Sequence, residues 1–237
     1  MRRLRFGLLQ AAHDNEHTTR NFRRELDADL VEFDVNSGTL PPHTDFDGLV
    51  VTGSRSSVYE DEAWIEPLVE YVAEAAADGV PILGVCYGHQ VLAEALGGRV
   101  AGMDSFELGY NTVEQVDDDP LFEGISESFR VFTSHGDAVV ELPPGAELIA
   151  RNEYGVHGFR REHCWGVQFH PEYDIETAQD IAESKRERLG DKQVDRVLAD
   201  ISPDQYAAAC EAKQLFENFA AYARKQAAER DAPEVTA

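Results

Sequence analysis

Cys86 stands between two glycines in GVCYGHQ (84–90), after the apolar run GVPIL and before VLAEALGG. A thiol at the point where a strand turns into a helix is lifted from the sheet edge. It then faces the positive end of that helix, which favours negative charge and so the nucleophilic thiolate. Gly84 and Gly88 complete G-x-C-x-G, whose glycines leave room for the tight turn called a nucleophile elbow. A thiol nucleophile needs a base, and the base needs an orienting acceptor. VQFHPEY (167–173) supplies both: His170 closes an apolar strand, Pro171 forces an extended exit, and Glu172 is placed to hold the imidazole tautomer. Attack on a carbonyl also creates an oxyanion, which backbone N–H groups stabilise. Two donors suggest themselves: Gly53, in Thr52-Gly53-Ser54 at the end of VVTG, and Tyr87, next to the thiol.

These residues need a scaffold. The runs LRFGLLQ (4–10), LVEFDV (30–35), FDGLVVTG (46–53) and VPILGVC (80–86) are short, rich in aliphatic residues and separated by helix-like segments. That pattern predicts a parallel sheet covered on both faces. Ile65, Leu68, Val69, Val72, Ala73 and Ala76 recur at helical spacing, with Pro67 in the first turn and Gly79 as the stop. A second helix is expected from about 89 to 96, ending at Gly97-Gly98. From residue 99 onward, 110–116, 129–135, 146–152, 156–161 and 164–170 read as strands joined by turns. The chain after HPEY is helical, with Ala209, Ala212, Phe216, Phe219, Ala220 and Ala223 on one stripe and a frayed end in ERDAPEVTA. The expected fold class is therefore α/β: a mostly parallel central sheet with flanking helices, a β-rich second half and C-terminal helices over about 174–226. With no Pro/Gly/Ser-rich linker, residues 1–237 read as a single domain with a catalytic core over about 4–180. Ligands of open α/β sheets bind beyond the carboxyl ends of the strands, where Gly53, Cys86 and His170 are all expected.

Composition narrows the setting. Asp and Glu total 45 against 21 Lys and Arg, four of them Lys, for a net charge of −24. A nucleic-acid partner is disfavoured, because phosphate binding requires a basic face. No apolar run approaches the roughly 20 residues of a membrane-spanning helix, and MRRLRFGLLQ lacks the cleavage pattern of a signal peptide. Cys86, Cys164 and Cys210 lie far apart with no C-x-x-C spacing, which argues against disulfides or a zinc site and for a reducing, cytoplasmic setting.

In order and spacing, TGS (52–54), GVCYGHQ, SHGD (134–137) and GVQFHPE (166–172) resemble the class I, or triad-type, glutamine amidotransferases. The resemblance implies a flavodoxin-like core and a Cys86, His170, Glu172 triad that removes the side-chain amide of glutamine through a γ-glutamyl thioester. It implies oxyanion donors at Gly53 and Tyr87, a substrate contact at Gln90, and a 134–135 segment, Ser134 and His135, that meets the substrate's α-amino and carboxylate groups. Such chemistry calls for no metal or redox cofactor. Family members pass ammonia to a synthase, and this sequence has no P-loop, so the acceptor chemistry is expected on a partner in trans. SHGD and FELG (106–109) are similar to the glutaminase part of GMP synthetase, whereas GSRSSVYEDEAWI (53–65) with HPEY resembles stand-alone γ-glutamyl peptidases. In that alternative, Arg55 would meet the carboxylate of a departing residue. A non-catalytic binding module is the third reading.

The acid excess generates the first prediction. Repulsion among surface carboxylates is screened over roughly 3 Å at molar ionic strength, so the melting temperature is expected to rise between dilute buffer and molar KCl. A flat or falling curve would contradict a salt-adapted surface.

Overall fold

The structure, a computed structural model, describes residues 2–13 and 15–230; residues 231–237 of the expected frayed end lie outside the described residues. Five short strands form the parallel half of one sheet: β1 (Arg5–Gln10), β2 (Asp29–Asp34), β3 (Gly48–Val51), β4 (Ile82–Val85) and β9 (Cys164–Val167), in the order β2-β1-β3-β4-β9. The antiparallel half follows with β8 (Gly155–Arg161), β7 (Glu147–Asn152), β5 (Arg99–Gln115) and β6 (Ser128–Glu141). β3 and β4 are buried at every position, as expected for strands covered on both faces.

Helices α1 (Asn15–Glu25), α2 (Ile65–Ala77) and α3 (Tyr87–Ala95) serve the parallel half. Ile65, Leu68 and Val72 of α2 are buried, as their spacing predicts. Sheet and helices bury two main apolar layers, one containing Phe6, Trp165 and Phe169, the other Leu49, Ile82 and Phe159.

Several boundaries differ from the sequence reading. α3 starts at Tyr87, directly after Cys86, rather than at 89, because the elbow hands the chain into the helix without a spacer. β5 and β6 run far beyond 110–116 and 129–135: their pairing extends from Arg99↔Glu141 to Glu114↔Ser128, interrupted by a bulge between Gly102 and Glu107. The bulge and the polar residues around it break the alternation that sequence reading relies on. β9 ends at Val167, and His170 is held beyond it by an isolated bridge to Phe132.

After β9 come α4 (Ile175–Ser184), α5 (Arg186–Leu189), α6 (Asp191–Asp200), α7 (Pro203–Ala209) and α8 (Gln214–Arg230). The expected stripe is divided among α7, a 3₁₀ turn at Cys210–Lys213, and α8. Ala212, Phe216, Phe219, Ala220 and Ala223 are all buried. Phe219 packs on Phe6 (5.5 Å between ring centroids) and Trp165 (6.3 Å), and Phe216 meets Phe22 edge-on at 6.0 Å. α8 is thus part of the core under the sheet. Among the described residues no helix is long and apolar enough to cross a membrane.

Truncating a buried phenylalanine removes its transfer energy and leaves a cavity, at a cost of about 3–5 kcal/mol. Phe219→Ala is therefore expected to lower urea-unfolding stability by that amount, and a loss below about 1 kcal/mol would show that α8 is an appendage.

Candidate active site

Cys86 joins β4 to α3 with φ 54° and ψ −102°, a left-handed conformation for a non-glycine residue. Such backbone costs about 1–3 kcal/mol and persists only where its surroundings impose it. Here they do. A Cβ on Gly84 would overlap the Gly88 carbonyl, and one on Gly88 would overlap the Val51 carbonyl, so β3, the elbow and the first turn of α3 touch backbone to backbone. The Cys86 amide donates to Val167 O at 2.8 Å, and its carbonyl accepts from Gln90 N at 3.3 Å.

His170 arrives from the end of β9, its amide donating to Phe132 O at 2.8 Å. Its Nδ1 lies 2.8 Å from Glu172 Oε1, and both side chains are buried. Burial disfavours an imidazolium, but Cys86 and Glu172 outweigh it and push the ring up to about 10. Cys86 Cβ and the His170 ring both pack against Gly53. Tyr173 stacks on the imidazole at 4.0 Å and 15°. The turn carrying Glu172 is fixed from α1: Arg24 donates to Glu172 O at 2.6 Å and to Asp174 Oδ2 at 2.9 Å, while Asp174 caps α4 through Thr177 N at 2.9 Å.

The predicted oxyanion donors come together at the same place. A Cβ on Gly53 would sit 3.0 Å from His170 Cε1 and 3.7 Å from Cys86 Cβ, so the backbone here packs closely against both side chains. The Tyr87 amide opens α3, where first-turn N–H groups have no acceptor within the helix. Gln90, one turn on, is buried and donates Nε2 to Gln168 Oε1 at 3.1 Å and to Asp137 O at 3.4 Å.

Ser134 and His135 part company. Ser134 O is 3.9 Å from Cys86 Sγ. The His135 ring has both nitrogens engaged, Nδ1 with Asp137 O at 2.9 Å and Nε2 with Glu107 Oε2 at 2.5 Å. Glu107 also accepts from Asn152 Nδ2 at 2.7 Å and faces His157 Nε2 at 3.1 Å. Burial opposes a charge on Glu107, but the two histidines hold its carboxyl down to about 2. Glu107, His135 and His157 form a three-residue group with metal-ligand atom types, all within 4.8 Å of one another. Zinc bonds of roughly 2.0–2.1 Å would spread tetrahedral ligand atoms to about 3.3 Å, so the His135–Glu107 spacing is that of a hydrogen bond.

Two cavities lie at the site, and Cys86 lines the first. One, of about 320 Å³, is lined by Cys86, Gln90, residues 134–137 and the 54–60 loop. The other, of about 530 Å³, opens on the His170 and Glu172 side. Ser54, Arg55, Ser134 and Lys185 line both and stand between them. The 53–65 segment is folded onto SHGD: Ser57 Oγ and Tyr59 OH each donate to Asp137 at 2.7 Å. Ser56 Oγ and Trp64 Nε1 donate to Glu62 at 2.8 and 2.7 Å.

Sequence reading missed Arg24, the Glu107–His157 pair, and Lys185 with Arg188 at the first cavity. Only Glu107 carried a signal, as part of FELG, and nothing in that motif announces a buried histidine pair.

The family model for class-I glutamine amidotransferases matches residues 13–185. The chain belongs to the class-I glutamine amidotransferase family. The glutamine-hydrolysing GMP synthase of Thermomicrobium roseum is 42% identical over 155 residues, 63% of this chain and 28% of that protein. The Thermosipho melanesiensis GMP synthase is 42% identical over 127 residues, 52% of this chain and 24% of that one. The chain therefore matches less than a third of the length of these relatives. A glutamine amidotransferase of Thermotoga maritima shares the fold, with a TM-score of 0.78 at 24% identity over 93% of this chain and 99% of that one. One from Methylobacillus flagellatus gives 0.75 at 19% identity over 92% and 94%.

The elbow makes the three cysteines unequal. Burial pushes the Cys164 thiol up to about 12, and Cys210 sits in the 3₁₀ turn before α8, outside the lining of both cavities. A glutamine-mimicking electrophile is expected to label Cys86 first by mass mapping; preferential labelling of Cys164 or Cys210 would contradict the geometry.

Proposed function

We propose that this amidotransferase hydrolyses the side-chain amide of glutamine through a γ-glutamyl thioester on Cys86, with His170 as acid and base and Glu172 as its orienter. The reading is carried by one observation: a thiol on a strained elbow and a buried imidazole pack against the same glycine, Gly53, and the imidazole holds a carboxylate at 2.8 Å. Attack by the Cys86 thiolate on the amide carbon places negative charge on the carbonyl oxygen, within reach of the Gly53 and Tyr87 amides. Collapse breaks the C–N bond as the His170 proton passes to the departing nitrogen, which leaves as ammonia. Water then enters, His170 takes its proton, and attack on the thioester releases glutamate and restores the thiolate–imidazolium pair.

Ammonia is handed to a synthase in trans, in a reaction like that of GMP synthesis, and the work is done in the cytoplasm. The likeness to one part of longer GMP synthases supports this reading.

A second reading, cleavage of γ-glutamyl peptides, is favoured by the cavity on the His170 side. Its volume of about 530 Å³ far exceeds the roughly 30 Å³ share of a water-sized leaving group. Arg55 at its wall suits the carboxylate of a departing amino acid.

Cys86→Ala and His170→Ala are expected to abolish ammonia release from glutamine. Glu172→Gln keeps shape but loses charge, and is expected to retain more activity, since the orienter is the least costly member to lose. Full activity of Glu172→Gln would show that the acid is misassigned. Parallel rates on γ-glutamyl dipeptides decide the leaving group: faster amine release than ammonia release would favour the second reading.

A further inference from the structure

The cavity beside Cys86 carries a charge pattern that the triad does not explain. In a chain of net charge −24, carboxylates are abundant enough to pair most cations. Arg186, on α5, shows this with three partners: Glu183 at 2.7 Å, Asp195 at 2.9 Å and Asp191 at 3.1 Å. Its neighbours Lys185 and Arg188 differ. Both line the cavity, and among the described residues neither forms an ion pair with a carboxylate.

They are held there by packing. Arg188 Cζ lies 4.6 Å from the Phe106 ring centroid and Lys185 Nζ lies 5.7 Å from it, so Phe106 supports both cations. Arg188 also lies on the backbone of SHGD: a Cβ on Gly136 would come within 2.7 Å of Nη2 and 2.9 Å of Phe106 Cδ2. Lys185 is half-buried, and burial, with Arg188 and Arg55 nearby, disfavours its charge while Cys86 favours it. Lys185, half-buried, and Arg188, exposed, thus line the cavity with no carboxylate in ion-pair contact, and a bound anion would supply that partner.

We infer that Lys185 and Arg188 form a carboxylate-recognition arm over the Cys86 cavity, binding the α-carboxylate of the γ-glutamyl group. The inference rests on the proposal that glutamine or another γ-glutamyl compound is the substrate. Arg188 decides which carboxylate is meant. It lines the cavity with Cys86 and Gln90 but not the one lined by His170, the residue that in the proposed mechanism hands its proton to the leaving group. The same cavity has Glu60 and Asp137, so it offers acidic groups for an α-ammonium as well. Both Asp137 oxygens already accept hydroxyl hydrogen bonds, which leaves Glu60 the freer of the two. Arg188 lies beyond the stretch matched by the family model, and Lys185 is its last residue. The segment after α4 therefore acts in this chain as a specificity element.

The test is calorimetric binding of glutamine and of its α-carboxamide to the full-length Cys86→Ala protein, repeated with Lys185→Met, Arg188→Met and Arg188→Lys, each checked by thermal melting. Losing a charge-assisted contact is expected to weaken glutamine binding about tenfold or more in either Met variant. Arg188→Lys keeps part of it, and binding of the carboxamide is unchanged by all three. Equal glutamine affinity in every variant, or equal losses for both ligands, overturns the inference. So does an effect of Arg188→Met on γ-glutamyl dipeptides alone, which would assign the cation to the leaving group. If the unmodified chain releases no ammonia from glutamine and Cys86→Ala binds none, the substrate reading itself fails; ammonia release with indifferent variants sinks only the recognition arm.

Discussion

The contact on which this site depends is between backbones. β3, the elbow and α3 meet at Val51, Gly84 and Gly88 with no space for a Cβ at either glycine. That closeness forces Cys86 into a left-handed conformation and starts α3 at the next residue, so the thiol and the first-turn amides share one origin. It also sets Gly53, two residues past Val51, against both Cys86 and His170. The strain at Cys86 is offset by the buried strands around it, whose pairing from β1 to β9 is continuous. A rigid parallel half thus holds three chain ends within one site, as the carboxyl edge of an open α/β sheet does for ligands generally.

The antiparallel half closes the site from the other side. β6 lends Phe132 O to His170 and carries SHGD along the cavity, while the bulge in β5 brings Phe106 and Glu107 to that segment. Glu107 grips His135 from behind, with Asn152 and His157 on its other sides. The result is a firm backbone wall at 134–137, with the His135 ring turned into the protein rather than toward a ligand. The 53–65 loop then hangs on Asp137 through two hydroxyls, so one aspartate couples cavity wall and rim.

The sequence made the parallel strands legible because they are short, apolar and buried on both faces, a pattern with few competing explanations. The elbow was legible for a similar reason: two glycines around a thiol are costly unless a tight turn needs them. Gly53, Cys86, His170 and Glu172 lie together, and Tyr87 and Gln90 line the same cavity as Cys86. What escaped sequence reading depends on contacts between distant segments. Glu107 and His157 are 50 positions apart, and Arg24 reaches Glu172 from α1. Lys185 and Arg188 look like ordinary surface cations until Arg186 is seen to hold the nearby carboxylates. β5 and β6 were under-read because a bulge interrupts their alternation.

The central claim is that Cys86 carries the acyl group during turnover. Acid quenching of the protein with glutamine in steady state, followed by peptide mass mapping, reads this directly. A γ-glutamyl adduct is expected on the peptide containing Cys86, absent in Cys86→Ala. Steady ammonia release with no adduct, or an adduct on another residue, would contradict it.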